Sequence, residues 1–343
     1  MANVLGDHMV LLQEKPVRVW GWGAPGEAVA VGFGAGPDAA RTASATVGAD
    51  GSWTATLEAM TKSFEGRELV IESGEERVSF TDVLVGEVWV CGGQSNMEWT
   101  LRSARDSDVE VESADTPAIR YLRLPKVAHL EPQRDFPGKE GANGGRWRLC
   151  LREEASDCTG VGYYSARRLR RRLDVPVGLI DNYWGGTMAQ HWVAQETLRG
   201  FPEVQPYFDE LEARLAAWEE GGGLEGAEER YAEDIAAWEE ARDAAKAAGE
   251  REPRRPDERN YEDPATKGQP GGMLNGSLRP IVRATVRGVL FYQGENNSLT
   301  ESWKPFHRTF PAVISDWRTL FGDPGLPFGI IQIAGWSNRR SMT

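Results

Sequence analysis

Cysteine and histidine are scarce in this 343-residue chain, with three of the first and four of the second. The cysteines, Cys91, Cys150 and Cys158, form no Cys-x-x-Cys pair, and no Cys/His cluster has zinc-ligand spacing, so no metal and no cofactor is expected. An odd count argues against a disulfide framework. Cys150 and Cys158 are close enough in sequence to bridge, and geometry decides whether they do. No apolar run reaches spanning length, so no membrane insertion is expected. Positive charge is also short: 39 Lys and Arg face 52 Asp and Glu, a formal net charge of −13. Nucleic acids and anionic membranes both require a basic face, which sets them aside as partners. No Gly-Lys-Ser/Thr signature follows a strand pattern, which disfavours nucleotide binding. Met1-Ala2-Asn3-Val4 lacks the charged start and long apolar stretch of a signal peptide. Nothing in the sequence sets an oligomeric state.

What is present begins with alternation. Between about residues 8 and 82, six short runs alternate apolar and polar positions: Val17–Trp20, Ala28–Val31, Ser44–Val47, Trp53–Leu57, Glu68–Ile71 and Arg77–Phe80. Turn residues separate them, and Asp50-Gly51 between two such runs predicts a hairpin. Short strands without helices predict an N-terminal antiparallel β-sandwich domain over residues 1–82. Such modules often bind carbohydrate, although packing on a neighbouring domain is the commoner use.

From residue 83 strands alternate with helices, which predicts a second domain over 83–343 with a doubly wound parallel sheet in three layers, flavodoxin-like. Val83–Val85 and Val88–Val90 form a buried strand that runs into Gly92-Gly93 and Ser95. A polar region with Pro117, Pro125, Pro132 and Pro137 reads as irregular. Thr159–Leu173 reads as a helix with Val161, Tyr164, Leu169 and Leu173 near one face and its arginines mostly solvated. Val175–Asn182, Val286–Tyr292 and Pro327–Ala334 are further strands, and Trp303–Leu320 a helix. Residues 203–262 read as an inserted helical hairpin. Phe208, Leu211, Leu215 and Trp218 form one stripe of its seam, and Tyr231, Ile235 and Trp238 the other. Its tryptophans have the chemistry to face a sugar, but a seam is the commoner role.

Three strands thus end in Gly-Gly-Gln-Ser-Asn, Trp-Gly-Gly-Thr and Gln-Gly-Glu-Asn-Asn. Parallel strands bring such ends to one rim. Together they offer a hydroxyl, free backbone N–H groups and a side-chain amide. That set suits acyl transfer, in which Ser95 attacks a carbonyl and the N–H groups and amide hold the oxyanion. The alternative is an ordinary strand-to-helix turn with Ser95 as an N-cap.

The blocks make the resemblance specific. Gly93-Gln94-Ser95-Asn96-Met97-Glu98-Trp99, Trp184-Gly185-Gly186-Thr187 and Tyr292-Gln293-Gly294-Glu295-Asn296-Asn297 resemble the three ordered blocks of the sialate O-acetylesterase family, a branch of the SGNH hydrolases that removes acetyl groups from sugars. The front end, His8–Gln13 through Val19–Trp22, resembles that family's leading β domain. The resemblance implies a serine esterase that deacetylates carbohydrates through an acyl-enzyme. Ser95 would be the nucleophile. The backbone N–H groups of Ser95 and of Gly185 or Gly186, with the Asn297 amide, would form the oxyanion hole. Gln94, Gln293 and Glu295 would support the site or contact substrate. The substrate would be an acetylated glycan, with sialic acid, xylan and pectic esters all open, and the setting periplasmic or extracellular.

The family also uses an Asp-x-x-His block that supplies the base. None of His8, His129, His191 and His307 has an aspartate three residues before it. The expectation is therefore that this block lies beyond Thr343, with His191 the nearest candidate inside the chain. A non-catalytic carbohydrate-binding protein, or an inactive fragment lacking its base, is the alternative reading.

Overall fold

In the computed structural model, residues 1–34, 41–138, 145–266, 268–299 and 301–335 are described, apart from the side chain of Glu153. All six predicted N-terminal runs are strands. After β1 (Val10–Leu12) come β2 (Val17–Trp22), β3 (Ala28–Phe33), β4 (Arg41–Thr46), β5 (Ser52–Leu57), β6 (Ser63–Ser73) and β7 (Glu76–Gly93). β4, β3, β6 and the first half of β7 pair antiparallel in that order, while β2 and β5 form a separate two-stranded sheet. Val19, Ala55 and Leu57 of the small sheet share one core with Val29, Val31 and Phe33 of the large one. The Asp50-Gly51 turn forms, with Gly51 N–H donating to Gly48 O at 2.9 Å. It is not the predicted hairpin, because the strands it joins pair in different sheets. The turn residues specify the reversal but not the partner.

The expected boundary at 82/83 falls inside β7, at Asp82, whose φ is +52°. Arg120 holds this bend. It is 2% exposed, and its guanidinium donates to both Asp82 carboxylate oxygens, at 3.1 and 2.9 Å, and to His8 O at 2.9 Å. Beyond the bend β7 becomes the centre of a parallel sheet. β8 (Asp115–Arg123), β9 (Trp147–Leu151), β10 (Val177–Tyr183), β11 (Gly288–Tyr292) and β12 (Phe328–Ile331) give the order β12-β11-β7-β10-β8-β9. All neighbours pair parallel except β8 and β9. β8 and β9 lie in the region read as irregular; Pro117 stands near the start of β8, two residues before the buried Ile119.

Side chains of a strand alternate between faces, and both faces of this sheet are covered. Val90 and Ile180 belong to the core packed against the Phe306–Phe321 helix. Their neighbours Cys91 and Leu179 belong to the core under the Gly160–Leu173 helix. The latter helix buries Gly160, Gly162, Tyr163 and Ala166, while Val161, Tyr164 and Leu169 of the predicted face pack half-buried against the same core and Leu173 is exposed. Its small residues let the helix lie close to the sheet. On the opposite face Trp317 is fully buried, edge-on to Phe291 at 5.4 Å, and donates to Trp192 O at 3.0 Å. Gly92 leaves room for this pair, since a Cβ there would meet both rings at 2.9 Å.

Helices Gln205–Glu220 and Gly223–Ala248 occupy the predicted insert and are joined through Gly221-Gly222. Phe208, Leu211 and Ala227 are buried, and Leu215, Trp218, Tyr231, Ile235 and Trp238 are half-buried in helices that are exposed over most of their length. Among the described residues no helix is long and apolar enough to cross a membrane.

Candidate active site

Ser95 sits where β7 ends, as the first residue of a one-turn helix, Ser95–Glu98. The N-cap is Gln94, which corrects the reading of Ser95 as a cap. Ser95 is exposed, and its hydroxyl has no hydrogen-bond partner among the described residues. As the first helical residue it also has no intrahelical acceptor for its own N–H.

The glycine block of β10 lies against it. Trp184 N–H donates to Gly93 O at 3.0 Å. A Cβ on Gly185 would fall 3.3 Å from Ser95 Cβ and 3.2 Å from Glu98 Oε2. The two glycines differ in their donors. Gly185 N–H is taken by Glu98 Oε2 at 2.9 Å. Gly186 is exposed, at φ +79°, and its N–H has no partner among the described residues.

The third block ties the other two together. Gln94 N–H donates to Tyr292 O at 3.1 Å, and Gln94 Oε1 accepts from Asn296 N–H at 3.3 Å. Asn96 Nδ2 donates to Glu295 Oε1, and Asn296 Nδ2 donates to Gly186 O at 2.8 Å. Gln293 Nε2 reaches Thr187 Oγ1 at 3.5 Å, and its Oε1 accepts from Gly294 N–H at 2.9 Å. Gln94, Gln293 and Glu295 therefore each bond across or within these blocks. Glu295 Oε2 is buried without a partner among the described residues.

The two asparagines are placed differently. Asn297, the residue expected to hold the oxyanion, is 1% exposed. Its Nδ2 donates to Gln190 Oε1 at 3.1 Å and to Ser302 O at 3.2 Å, and its Oδ1 accepts from Ala189 N–H at 2.9 Å. Both amide hydrogens are occupied in that buried network. Asn296 Nδ2 has one acceptor among the described residues, Gly186 O, next to the Gly185 that lies against Ser95. Glu98 is the site residue to which the sequence reading gave no role. Its carboxylate accepts from Gly185 N–H and from Lys126 Nζ at 2.5 Å, with Arg123 at 3.6 Å. The signal was its place three residues after Ser95, on the same side of a helical turn.

No histidine among the described residues bonds to Ser95. His8 pairs with Asp82 at 2.7 Å, and the ten rises of strand from Val83 to Gly93 put it about 33 Å from the rim. His129 and His307 are exposed and bonded locally. His191 is buried, accepts from Met188 N–H at 3.1 Å, and shares a 360 Å³ cavity with Gly186.

Beneath the rim the three cysteines are buried and free, so Cys150 and Cys158 are not bridged. Burial pushes the Cys91 and Cys158 thiols well up, which makes them inert. Asp181, beside Cys91 in register, is fully buried; desolvation raises its carboxyl to about 7, against the pull of the Tyr183 hydroxyl. A carboxyl with a raised folded pKa is protonated longer in the folded state. Stability is then full below about pH 4 and falls as pH rises toward 7. Asp181→Asn is expected to flatten that slope and stabilise the protein at pH 8 by at most about 4 kcal/mol. Urea midpoints at pH 4, 6 and 8 check this; a variant equally destabilised at all three would show that the charge is not the cost.

No protein-family model matches the chain. Its curated relatives include sialate O-acetylesterase of Homo sapiens, 25% identical over 364 residues, covering 99% of this chain and 58% of the relative. Sialate O-acetylesterase of Rattus norvegicus is 26% identical over 359 residues, covering 98% and 60%. A solved carbohydrate acetylesterase from Xanthomonas citri superposes with a TM-score of 0.68 at 26% identity, over 96% of this chain and 58% of that one. The chain thus resembles sialate O-acetylesterases along nearly its whole length, and spans about three-fifths of the relatives it matches.

Proposed function

We propose, from that resemblance and the geometry around Ser95, that the protein is a serine esterase removing O-acetyl groups from carbohydrates. The carrying observation is an exposed serine hydroxyl at the end of the central strand, without a hydrogen-bond partner among the described residues and pressed against a glycine block whose Gly186 N–H is likewise without one. Ser95 Oγ attacks the acetyl carbonyl. The oxyanion is held by the N–H groups of Ser95 and Gly186, with a side-chain amide from the third block. The sugar hydroxyl leaves with a proton, and water releases acetate from acetyl-Ser95. In this reading the Ser95 proton goes to the histidine of the Asp-x-x-His block that the resemblance implies, not to one of the four in these 343 residues.

Acetate release from p-nitrophenyl acetate and acetylated xylan tests this, on the 343-residue chain and on any longer form of the gene product. Activity confined to a longer form supports the external base. Full activity of the 343-residue chain makes His191 the first residue to substitute. Inactivity of every form on all acetyl esters favours a carbohydrate-binding protein, the reading supported by the absence of a histidine at Ser95.

The amide donor is open to a paired test. Asn296→Ala is expected to lower kcat about a hundredfold, some 3 kcal/mol of transition-state stabilisation, with little change in thermal midpoint. Asn297→Ala is expected to cost about 2 kcal/mol of stability by orphaning Ala189 N–H and Gln190, with kcat of the folded enzyme kept. The reverse result would return the oxyanion role to Asn297.

A further inference from the structure

The strongest feature outside the Ser95 cluster is a cavity of about 680 Å³ between the two insert helices, the 258–266 segment and the glycine block. Four rings line it: Trp184, Trp218, Tyr231 and Tyr261. Tyr231 and Tyr261 lie 5.0 Å apart with their planes at 57°, and the Tyr261 hydroxyl is held by Asp234. All four rings are half-buried. Trp184 directly precedes Gly185, whose backbone lies against Ser95, so one wall of the cavity stands a single residue from the Ser95 cluster. The 360 Å³ cavity that reaches Gly186 shares Glu262, Asp263 and Thr266 with it.

The polar lining has one sign. Glu228, Glu258, Glu262 and Asp263 contribute carboxylates, and among the described residues no Lys or Arg lines this cavity. Among the described residues none of the four forms an ion pair within 4 Å, while Arg214 and Arg259 line the adjoining cavity that shares Glu262 and Asp263. Aromatic faces pack on the C–H surfaces of sugar rings, and ionised carboxylates are the strongest acceptors for sugar hydroxyls. A sugar carrying its own carboxylate meets like charge there, in a cleft that focuses the field. The volume lies within the range of roughly 300–1,000 Å³ usual for small-molecule sites.

We propose that this cavity is the glycan subsite next to Ser95, and that its carboxylates select uncharged oligosaccharides over uronate- or sialate-bearing ones. The inference deepens the esterase reading by naming its substrate class, and its test does not depend on hydrolysis. Xylotetraose and tetragalacturonic acid are titrated into the 343-residue chain with tryptophan fluorescence as readout. Xylotetraose is expected to bind at least tenfold more tightly at low salt, with the gap narrowing as salt screens the carboxylates. Trp218→Ala should weaken xylotetraose binding tenfold or more, and Trp218→Phe should restore most of it, which separates a stacking role from a folding one. Glu228→Gln with Glu262→Gln should narrow the preference against tetragalacturonic acid. Equal binding of the two sugars, or a Trp218→Ala chain that binds like the parent, overturns the inference even if the protein hydrolyses p-nitrophenyl acetate. Selective binding without hydrolysis by any form keeps it and removes the esterase reading instead.

Discussion

Ser95→Ala is expected to lower acetate release by roughly three to six orders of magnitude in whichever form of the gene product hydrolyses acetyl esters. The size follows from losing the covalent route altogether, since no second hydroxyl replaces it at the end of β7. The same substitution should leave folding almost untouched. Ser95 is exposed, makes no hydrogen bond among the described residues, and is not the cap of its helix. Exposed positions of this kind usually shift stability by no more than about 0.5 kcal/mol. A kcat that collapses while the thermal midpoint holds is therefore the expected pattern. An alanine variant that keeps its esterase activity would remove Ser95 as nucleophile, and with it the role given to Gly186.

The parts of the fold written in local pattern were legible. Alternation located β2 to β7, and apolar runs ending in glycine located β10 and β11, because burial on one or both faces leaves a periodic trace. β8 and β9 left little trace. Pro117 and polar neighbours surround β8, and its buried residues, Ile119 to Leu122, form a short run without alternation. Pairing partners were not legible either, as the Asp50-Gly51 turn shows. Long-range register is set by packing, which a local motif does not encode.

The site divides the same way. The ordered blocks singled out Ser95, the glycines, Gln94, Gln293 and Glu295 as candidates, because each block stands at a strand end, and the structure brings those strand ends together. Which of two adjacent residues turns toward the Ser95 cluster was beyond them. On a helical turn, neighbours point about 100° apart, so Asn296 bonds to the glycine block while Asn297 turns into the layer beneath. Gly185 and Gly186 differ as donors through Glu98, whose carboxylate takes one N–H and leaves the other.

Gly93→Ala is expected to be the most destabilising single change at the site. Gly93 has φ +136°, a conformation that costs a side-chain-bearing residue dearly. The added methyl would fall 2.0 Å from Tyr292 O, 2.8 Å from Tyr292 C and 3.1 Å from Tyr292 N. These are backbone atoms of a central strand, so no side chain can swing away. Relief requires β11 to separate from β7, or the turn to rotate, and either breaks the Gln94 N–H to Tyr292 O bond that launches the Ser95 helix. A loss above about 4 kcal/mol follows, enough to unfold a marginally stable domain. Gly26→Ala is the control: its φ is +86°, yet a Cβ there meets nothing within 4 Å, so it should cost only about 1 kcal/mol of backbone strain. Urea midpoints of both variants decide the matter. If Gly93→Ala costs no more than Gly26→Ala, β7 and β11 do not approach so closely, and the position assigned to Ser95 relative to the third block falls with that contact.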